Sequence, residues 1–277
     1  MADYDVLVAG AGYSGARLLA LLPPGSALGL GRSGGDGLLA VDLDGEAPTL
    51  PGARAVVYTV PPPAEGEDDP RLGRFLAALP TAPERIVYFS TSGVYGDCRG
   101  ARVVETAPRR PGTPRAVRRA AAEERLEAWC RERGSLPVIL RVPGIYGPGR
   151  LGLERLRQGG PVLREADAGP GNRIHVDDLV ACARAAAAAD GPPAIVNVGD
   201  GDYRSASWFS GEVARQAGLP APREIDREQA RREFSRMRLS FLAESRRVDV
   251  TRMRERLGIA PRRPEDGIAD SLRAGRD

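Results

Sequence analysis

An apolar strand that runs directly into a glycine-rich turn and then a leucine-rich helix opens the sequence. The strand pattern covers residues 5–9, the turn residues 10–15 and the helical pattern residues 16–22. A Gly-x-Gly-x-x-Gly turn in this setting is typical of dinucleotide binding, because backbone N–H groups at the helix N-terminus face a pyrophosphate. The opening therefore predicts a dinucleotide site, and the alternative is a glycine turn that binds nothing.

Each residue of the turn has its own place in this prediction. Gly10 allows the tight turn, Gly12 lets the backbone approach the pyrophosphate, and Gly15 lets the helix pack closely on the strand. Tyr13 and Ser14 lie between these glycines and are assigned to the same cofactor site.

The end of the second predicted strand, residues 26–30, bears on the choice of cofactor. Chains that bind NAD carry an acidic residue about 20 residues beyond the first glycine, on the ribose. This sequence has Gly31-Arg32-Ser33 there. A guanidinium binds an additional ribose phosphate, whereas a carboxylate repels it. Arg32 and Ser33 therefore predict NADP, with NAD as the alternative, unless Arg32 is simply a solvated turn residue.

Alternating strand and helix patterns predict the fold class. Further strand patterns cover residues 38–43, 54–60, 85–90 and 194–199, and helical patterns separate them. This alternation is typical of an α/β, Rossmann-type doubly wound parallel sheet, whose ligands bind at the carboxyl ends of the strands. Asp42, in the third strand, and Pro61, directly after the fourth, are therefore assigned to the cofactor site.

Composition excludes several kinds of site. All 40 lysine-plus-arginine positions are arginine, which excludes Schiff-base catalysis and a P-loop lysine. The net charge of +3 is too small to indicate nucleic acid, and acidic residues interleave with the arginines of residues 223–256. Three widely spaced cysteines fit neither a disulfide framework nor a metal site, so no metal is expected.

The length and the hydrophobic content predict a soluble globular chain. The 277 residues, 42% of them hydrophobic, suffice for one large or two small domains. The sequence has no apolar run of about 18 residues and no basic segment leading into an apolar one. We therefore expect no membrane partner and a cytoplasmic location.

A hydroxyl-rich segment ends the predicted strand at residues 85–90. It reads Ser90-Thr91-Ser92-Gly93-Val94-Tyr95-Gly96. Hydroxyl groups at the carboxyl end of such a strand are placed to hold a reacting group, although Ser and Thr in turns also bond to their own backbone. The segment alone leaves both interpretations open.

Four motifs in order resemble the extended short-chain dehydrogenase/reductase family. They are the glycine turn at Gly10, residues 90–96, residues 141–149 and residues 173–179. The resemblance implies a Rossmann domain at residues 1–150 and 173–200. It also implies a small, mostly helical substrate lobe at residues 151–172 and 201–277. The family includes epimerases, dehydratases and carbonyl reductases.

The resemblance also implies roles for individual residues. Thr91 matches the family residue that polarises the substrate oxygen, with Ser92 and Tyr95 beside it. Pro143 and Ile145 match the backbone that borders the nicotinamide.

Contacts to a small and anionic substrate follow from the same motifs. Arg173 matches an arginine that holds a substrate phosphate or carboxylate, and Arg150 is placed to join it. Tyr146, within residues 141–149, is assigned to the substrate as well.

The catalytic Tyr-x-x-x-Lys pair of the family is missing. On the helix predicted at residues 113–133, Arg115 takes the tyrosine position and Arg119 the lysine position. Arg119 is still able to donate to a nicotinamide ribose, whereas Arg115 cannot supply a proton and is assigned to the substrate. The resemblance is therefore to an atypical branch of the family. The alternative is an exposed, ion-paired stripe of Arg115, Arg119 and Glu123.

The proton must then come from another group. Tyr95, Tyr146 and Tyr203 carry phenols, and water or the substrate itself would also serve. His175, the single histidine of the sequence, is interpreted as a residue that packs and caps a helix.

The sequence predicts an NADP-dependent oxidoreductase or epimerase-like enzyme that acts on a carbonyl or alcohol of a small metabolite. One alternative is a non-catalytic dinucleotide-binding sensor or scaffold. Another is a lyase, isomerase or cyclase without net hydride transfer. The resemblance also implies a homodimer through the two helices that flank the central sheet, with which the alanine face and the arginines of residues 114–133 are compatible.

Overall fold

The computed structural model describes residues 3–46 and 48–275. The strands of this part of the chain are β1 (Tyr4–Ala9), β2 (Ala27–Gly31), β3 (Leu38–Ala40), β4 (Ala53–Tyr58), β5 (Arg85–Thr91), β6 (Arg102–Val103), β7 (Leu136–Val142), β8 (Gly144–Tyr146), β9 (Val162–Leu163), β10 (Arg173–His175), β11 (Ile195–Asn197), β12 (Glu224–Ile225) and β13 (Arg247–Val248).

The helices of the same residues are α1 (Tyr13–Ala20), α2 (Pro70–Ala78), α3 (Pro114–Arg133), α4 (Leu153–Arg157), α5 (Val176–Ala188), α6 (Ala206–Gln216), α7 (Arg227–Glu233), α8 (Arg236–Leu242), α9 (Thr251–Leu257) and α10 (Pro264–Ala274). Two 3₁₀ turns, Ser92–Tyr95 and Glu165–Asp167, complete the set.

A parallel sheet of seven strands in the described chain forms the centre, in the order β11-β7-β5-β4-β1-β2-β3. From β1 the chain adds β2 and β3 on one side and then returns to add β4 on the other. The strand order therefore reverses between β1 and β4, where doubly wound sheets open their ligand crevice. This architecture confirms the predicted fold class.

Helices cover both faces of the sheet. On one face, side chains of α1, α5 and α9, among them Leu18, Leu179 and Met253, pack against the strands. On the other face, Phe75 of α2 and Leu126 of α3 do the same. Strands that are buried on both faces need continuous apolar runs, which explains why most strand patterns were readable in the sequence.

Smaller cores lie outside the sheet. One joins Leu156 of α4 to Val213 of α6 and Ile268 of α10. Another joins Leu163 of β9 to Phe234 after α7, and β9 pairs with β12 in parallel. We call α4, α6–α8, α10, β9 and β12 the lobe. Helix α9 comes from the same part of the chain but packs with the sheet.

Residues 226–244 contain two short helices, α7 and α8. The side chain of Asp226 caps α7 within a capping box, and the side chain of Ser235 accepts a hydrogen bond from Arg238 N to cap α8. A new cap ends one helix and starts the next, so the segment turns at residues 234–235. The short strand β13 follows and pairs in parallel with β6.

Candidate functional site

A cleft of about 1960 Å³ extends from the carboxyl ends of the sheet strands to the lobe. It brings together most of the residues that the sequence assigned to a site. They are Gly10, Gly12, Tyr13, Ser14, Arg32, Ser33, Asp42, Pro61, Thr91, Ser92, Arg115, Arg119, Pro143, Ile145, Tyr146, Arg150 and Arg173. Gly15 and Tyr95 lie outside this lining. Gly15 is buried in α1 and Tyr95 is 1% exposed.

The three glycines of the opening turn are held by different constraints. Gly10 has φ +99°, and a Cβ there would lie 2.5 Å from Thr59 Oγ1. A Cβ at Gly15 would overlap the carbonyl oxygen of Gly10. At Gly12, apart from the glycine and its two neighbours in the chain, no atom of the described residues lies within 4 Å of the Cβ position. The fold therefore requires Gly10 and Gly15, whereas the missing side chain at Gly12 leaves open space in the cleft.

Tyr13 links the glycine turn to the loop after β8. Its ring centroid lies 4.0 Å from the Arg17 guanidinium carbon and 3.8 Å from that of Arg150. Its hydroxyl donates to the carbonyl oxygen of Pro148 at 3.0 Å. Arg150, which was expected to meet the substrate, thus stacks on a residue of the predicted cofactor site.

The residues expected near the adenosine follow strands β2 and β3. Arg32 and Ser33 are exposed directly after β2. Asp42 accepts a hydrogen bond from Asp44 N at 2.9 Å. Arg71, which the sequence reasoning missed, donates to Asp44 Oδ1 at 2.7 Å and to the Pro61 carbonyl at 3.0 Å. The hydrogen bonding of Arg71 to the Asp44 carboxylate lowers the pKa of Asp44. Nothing in the sequence pattern distinguishes Arg71 from other helix-start arginines.

Thr91 stands at the carboxyl end of β5. Its Oγ1 accepts a hydrogen bond from Gly93 N at 3.1 Å and so caps the 3₁₀ turn. A hydroxyl that accepts here keeps its own hydrogen for a ligand oxygen. Ser92 follows as the first residue of that turn and is 5% exposed. Thr91 is therefore oriented by the backbone and able to donate into the cleft.

A buried ionic network lies behind this strand end. Glu123 of α3 is 0% exposed and accepts from Ser90 Oγ at 2.5 Å and from Arg141 Nη2 at 2.7 Å. Arg109 donates to the same carboxylate at 3.2 Å. The alternative of an exposed stripe that includes Glu123 is therefore wrong, because Glu123 faces the sheet and bonds to it.

Arg115 and Arg119 take separate positions along the cleft. Arg119 donates to Tyr88 Oη at 2.9 Å and to the Phe89 carbonyl at 2.7 Å, which holds it against β5. The Arg115 guanidinium carbon lies 3.8 Å from the ring centroid of Phe241 in α8. Arg115 thus contacts the lobe, and Arg119 contacts the sheet.

Of the three tyrosines considered as proton donors, two form hydrogen bonds elsewhere and the third is buried. Tyr95 donates to Asn197 Oδ1 at 2.7 Å, and Tyr203 donates to the Val248 carbonyl at 2.8 Å. The ring of Tyr146 lines the cleft, but its hydroxyl abuts Gly267, where a Cβ would overlap it. Burial raises the pKa of Tyr146, which further disfavours proton loss from it.

His175 has the packing and capping role that the sequence predicted. The side chain is 1% exposed, and its Nδ1 accepts from Asp177 N at 3.2 Å at the start of α5. Its Nε2 lies 3.1 Å from Ser271 Oγ. Burial lowers its pKa, so the ring stays neutral inside the fold.

Arg173 lies where the sheet meets the lobe. It is 6% exposed and donates to the carbonyl oxygens of Arg204 and Ser205, the latter at 3.3 Å. Asp202 Oδ1 lies 3.7 Å from its Nη1. Burial lowers the pKa of Arg173 and raises that of the neighbouring Asp200 to about 7. Arg173 therefore reaches the cleft as a desolvated cation already bound by lobe backbone.

The described residues contain no group of three or more His, Cys, Asp or Glu side chains arranged to hold a metal ion. None of their helices combines the length and the apolar character that crossing a membrane requires.

Comparison with curated proteins finds distant relatives. Protein YeeZ of Escherichia coli strain K12 is 29% identical over 187 residues, which cover 65% of this chain and 64% of YeeZ. A 3-diazoavenalumate denitrifying reductase from a Streptomyces species is 31% identical over 169 residues, 57% of this chain and 53% of the reductase. The matches thus span less than two thirds of either relative.

Solved structures share the fold along nearly the whole chain. A functionally unknown conserved protein from Silicibacter pomeroyi DSS has a TM-score of 0.81 and 29% identity, over 97% of this chain and 98% of that one. The human epimerase family protein SDR39U1, solved with NADPH, has a TM-score of 0.75 and 21% identity, over 96% and 98%.

A family match agrees with the fold and with the order of the motifs. Residues 74–199, which include β5, α3, β7 and β10, match the NAD dependent epimerase/dehydratase family. The described chain, with its seven-stranded parallel sheet, also shares its fold with the structural neighbours. Residues 74–199 of the chain are therefore similar to the NAD dependent epimerase/dehydratase family.

Proposed function

We propose that the chain is an NADP-preferring oxidoreductase or epimerase-like enzyme that acts on a carbonyl or alcohol of a small metabolite. One observation carries the proposal: a single cleft joins the open space at Gly12 to the backbone-oriented hydroxyl of Thr91. The open space at Gly12 allows a pyrophosphate to approach the backbone, and the Thr91 hydroxyl is able to donate a hydrogen bond to a reacting oxygen. The NADPH bound to the human neighbour supports a nicotinamide dinucleotide as the cofactor.

Arg32 supports the preference for NADP. It is exposed at the cleft directly after β2, where an NAD site carries an acidic residue. The nearby carboxylate of Asp44 is already bonded to Arg71. Arg32 is therefore available to a ribose phosphate.

Different groups take the separate roles that the reaction requires. A bound nicotinamide supplies or accepts the hydride. Thr91 donates to the substrate oxygen and polarises its bond to carbon. Arg119 is fixed against β5 and holds the nicotinamide ribose. Because Tyr95, Tyr146 and Tyr203 bond or pack elsewhere, we assign the proton to water or to a group of the substrate.

A cofactor titration tests this proposal before any substrate is known. The fluorescence of the cofactor measures binding, and we expect NADPH to bind more tightly than NADH. Arg32→Ala should weaken NADPH binding by about tenfold or more, since a charge-assisted hydrogen bond is worth about 1.5–3 kcal/mol. It should leave NADH binding unchanged.

Arg131→Ala is the matched control, because Arg131 is exposed on α3 and lies outside the cleft. It should change neither affinity. If the unmodified protein binds neither cofactor, the oxidoreductase proposal is wrong.

A second candidate is a dinucleotide-binding protein without net hydride transfer, either a sensor or a lyase. The positions of Arg115 and Arg119 favour it, because arginine cannot serve as the acid that the family helix normally supplies. Tight NADPH binding, with neither consumption of the cofactor nor an epimerised product across a panel of carbonyl and alcohol compounds, would support this candidate.

A further inference from the structure

Two arginines of the lobe meet at one backbone carbonyl. Arg155 of α4 donates from Nη1 to the oxygen of Pro161 at 3.3 Å, and Arg238 of α8 donates from Nη2 to the same oxygen at 2.8 Å. Both side chains are half-buried and line the lobe end of the cleft. Helices that are distant in sequence therefore bring two guanidinium groups to one point.

The pair has two positive charges and no matching negative charge. Within the described residues, neither arginine forms an ion pair, and no carboxylate contributes to the electrostatics of either group. The two acidic residues that line this part of the cleft are engaged elsewhere. Asp167 pairs with Arg164 at 3.3 Å, and Glu244 pairs with Arg246.

The environment of the pair disfavours its charge. Burial lowers the pKa of Arg155, and burial together with the charge of Arg155 lowers the pKa of Arg238 to about 10. Desolvated like charges at close range destabilise a fold unless a counter-ion joins them. An anion placed between the two forks would remove that cost and gain charge-assisted hydrogen bonds.

The walls beside the pair are apolar. Val162, Leu163, Phe209 and Leu239 line the same end of the cleft. The guanidinium carbon of Arg238 also lies 3.3 Å from the ring centroid of Phe234. A ligand that suits this end has an acidic group attached to a hydrocarbon or aromatic body.

We propose that Arg155 and Arg238 form an anion subsite that binds the carboxylate or phosphate of a substrate whose apolar body lies against the lobe. The inference rests on the proposed function, because it places this substrate in the cleft that also holds Thr91. Arg155 and Arg238 are binding residues here, and they are distinct from Arg150 and Arg173.

Calorimetric titration of the full chain with three related probes tests the subsite. The probes are phenylacetate, phenyl phosphate and the neutral phenylacetamide. We expect at least one of the two anions to bind about tenfold or more tightly than the amide. The anion that binds better identifies the acidic group. Equal binding of all three probes, or no binding of any, would overturn the proposal.

Variants on the same two helices locate the binding. Arg155→Gln and Arg238→Gln should each weaken anion binding by about tenfold and leave the amide unaffected. Arg155→Lys and Arg238→Lys keep the charge and should lose less. Arg157→Gln and Arg236→Gln are matched controls, because both residues are exposed and lie outside the cleft. Unchanged anion affinity in the Arg155 and Arg238 variants would refute the subsite.

NADPH titration of the same variants separates the two proposals. Preserved NADPH affinity shows that a glutamine variant is folded and has lost only the anion. If a glutamine variant fails to fold, added salt should weaken anion binding to the unmodified protein and spare the amide. A protein that binds phenylacetate through these arginines but never binds NADPH would retain the subsite and refute the proposed function.

Discussion

At the scale of single residues, Gly12 differs from its neighbours in what holds it. Backbone or side-chain atoms occupy the Cβ positions of Gly10 and Gly15, so the fold alone accounts for those two glycines. Gly12 has φ −83°, which any residue adopts, and open space beside it. Packing within the fold therefore does not require a glycine at position 12, which supports our proposal that a ligand approaches the backbone there.

Gly12→Ala should change binding and leave stability nearly unaltered. We expect the free energy of unfolding to stay within about 0.5 kcal/mol of the unmodified value, as at other uncrowded positions. NADPH affinity should fall by about tenfold or more, because a methyl group would occupy the space of the pyrophosphate. Urea denaturation and cofactor fluorescence measure the two effects.

Substitutions at two other glycines serve as comparisons for Gly12→Ala. Gly211→Ala, in the interior of α6 and also with open space, should raise stability by about 0.5–1 kcal/mol and preserve NADPH affinity. Gly15→Ala should destabilise the fold by about 1–3 kcal/mol or more, since its Cβ would overlap Gly10. Normal NADPH binding by Gly12→Ala would contradict the assignment of the turn.

At the scale of elements, α3 has a charged residue on its buried face. Glu123 bonds to Ser90 and Arg141, which lie 33 and 18 residues away in sequence. The carboxylate satisfies Arg141, which is itself 2% exposed. The network therefore fixes the end of β5, where Thr91 stands, relative to α3 and β7.

Glu123→Gln should destabilise the protein by about 3–5 kcal/mol, because it leaves Arg141 as a buried cation without its counter-charge. Urea denaturation at constant pH measures the loss. Glu124→Gln is the neighbouring control, with a side chain that is 66% exposed and 3.5 Å from Arg109. Its effect should not exceed about 1 kcal/mol. Equal effects of the two substitutions would show that the network is not what stabilises α3.

Elements were easier to predict from the sequence than their faces. The helix expected at residues 113–133 is α3 (Pro114–Arg133), which ends at Gly134 in the left-handed conformation. Its buried face was not readable, because Ala116, Arg118 and Glu123 do not form an apolar stripe. The partners of the buried Glu123 are Ser90 on β5 and Arg141 on β7. The local sequence pattern of α3 carries no information about these distant partners.

At the scale of the whole molecule, Asp200 makes stability depend on pH. It is 8% exposed between the sheet and the lobe, and its Oδ2 accepts no hydrogen bond from the described residues. Burial raises its pKa from 3.8 to about 7, against the opposing charge of Arg173. A raised carboxyl pKa stabilises the fold below the unfolded value of about 4 and loses that contribution as pH rises through 7.

Asp200→Asn mimics the protonated acid and should remove this pH dependence. The variant and the unmodified protein should be about equally stable near pH 4. The variant should then become the more stable by about 4 kcal/mol as pH rises to about 8, because each unit of pKa shift is worth about 1.4 kcal/mol. Denaturation curves at several pH values measure the difference between the two proteins. A constant difference across this range would show that Asp200 is ionised throughout.

The cleft as a whole was predictable only in part. The residues that the glycine turn and the strand ends contribute were assigned from the sequence, since a parallel sheet brings its carboxyl edge together. Arg71, Arg155 and Arg238 were missed, because each lies on a helix whose position depends on tertiary packing. Tyr95 was assigned by its neighbours in sequence, whereas the turn at Ser92–Tyr95 directs its hydroxyl to Asn197.

The bond from Tyr13 to Pro148 joins loops that are 135 residues apart in sequence. Together with Arg150 on the tyrosine ring, it orders the glycine turn when the protein folds. A dinucleotide then meets a preorganised surface and loses little affinity to the conformational entropy of that turn. We therefore expect the binding of a dinucleotide at the glycine turn to carry only a small loss of conformational entropy of the protein.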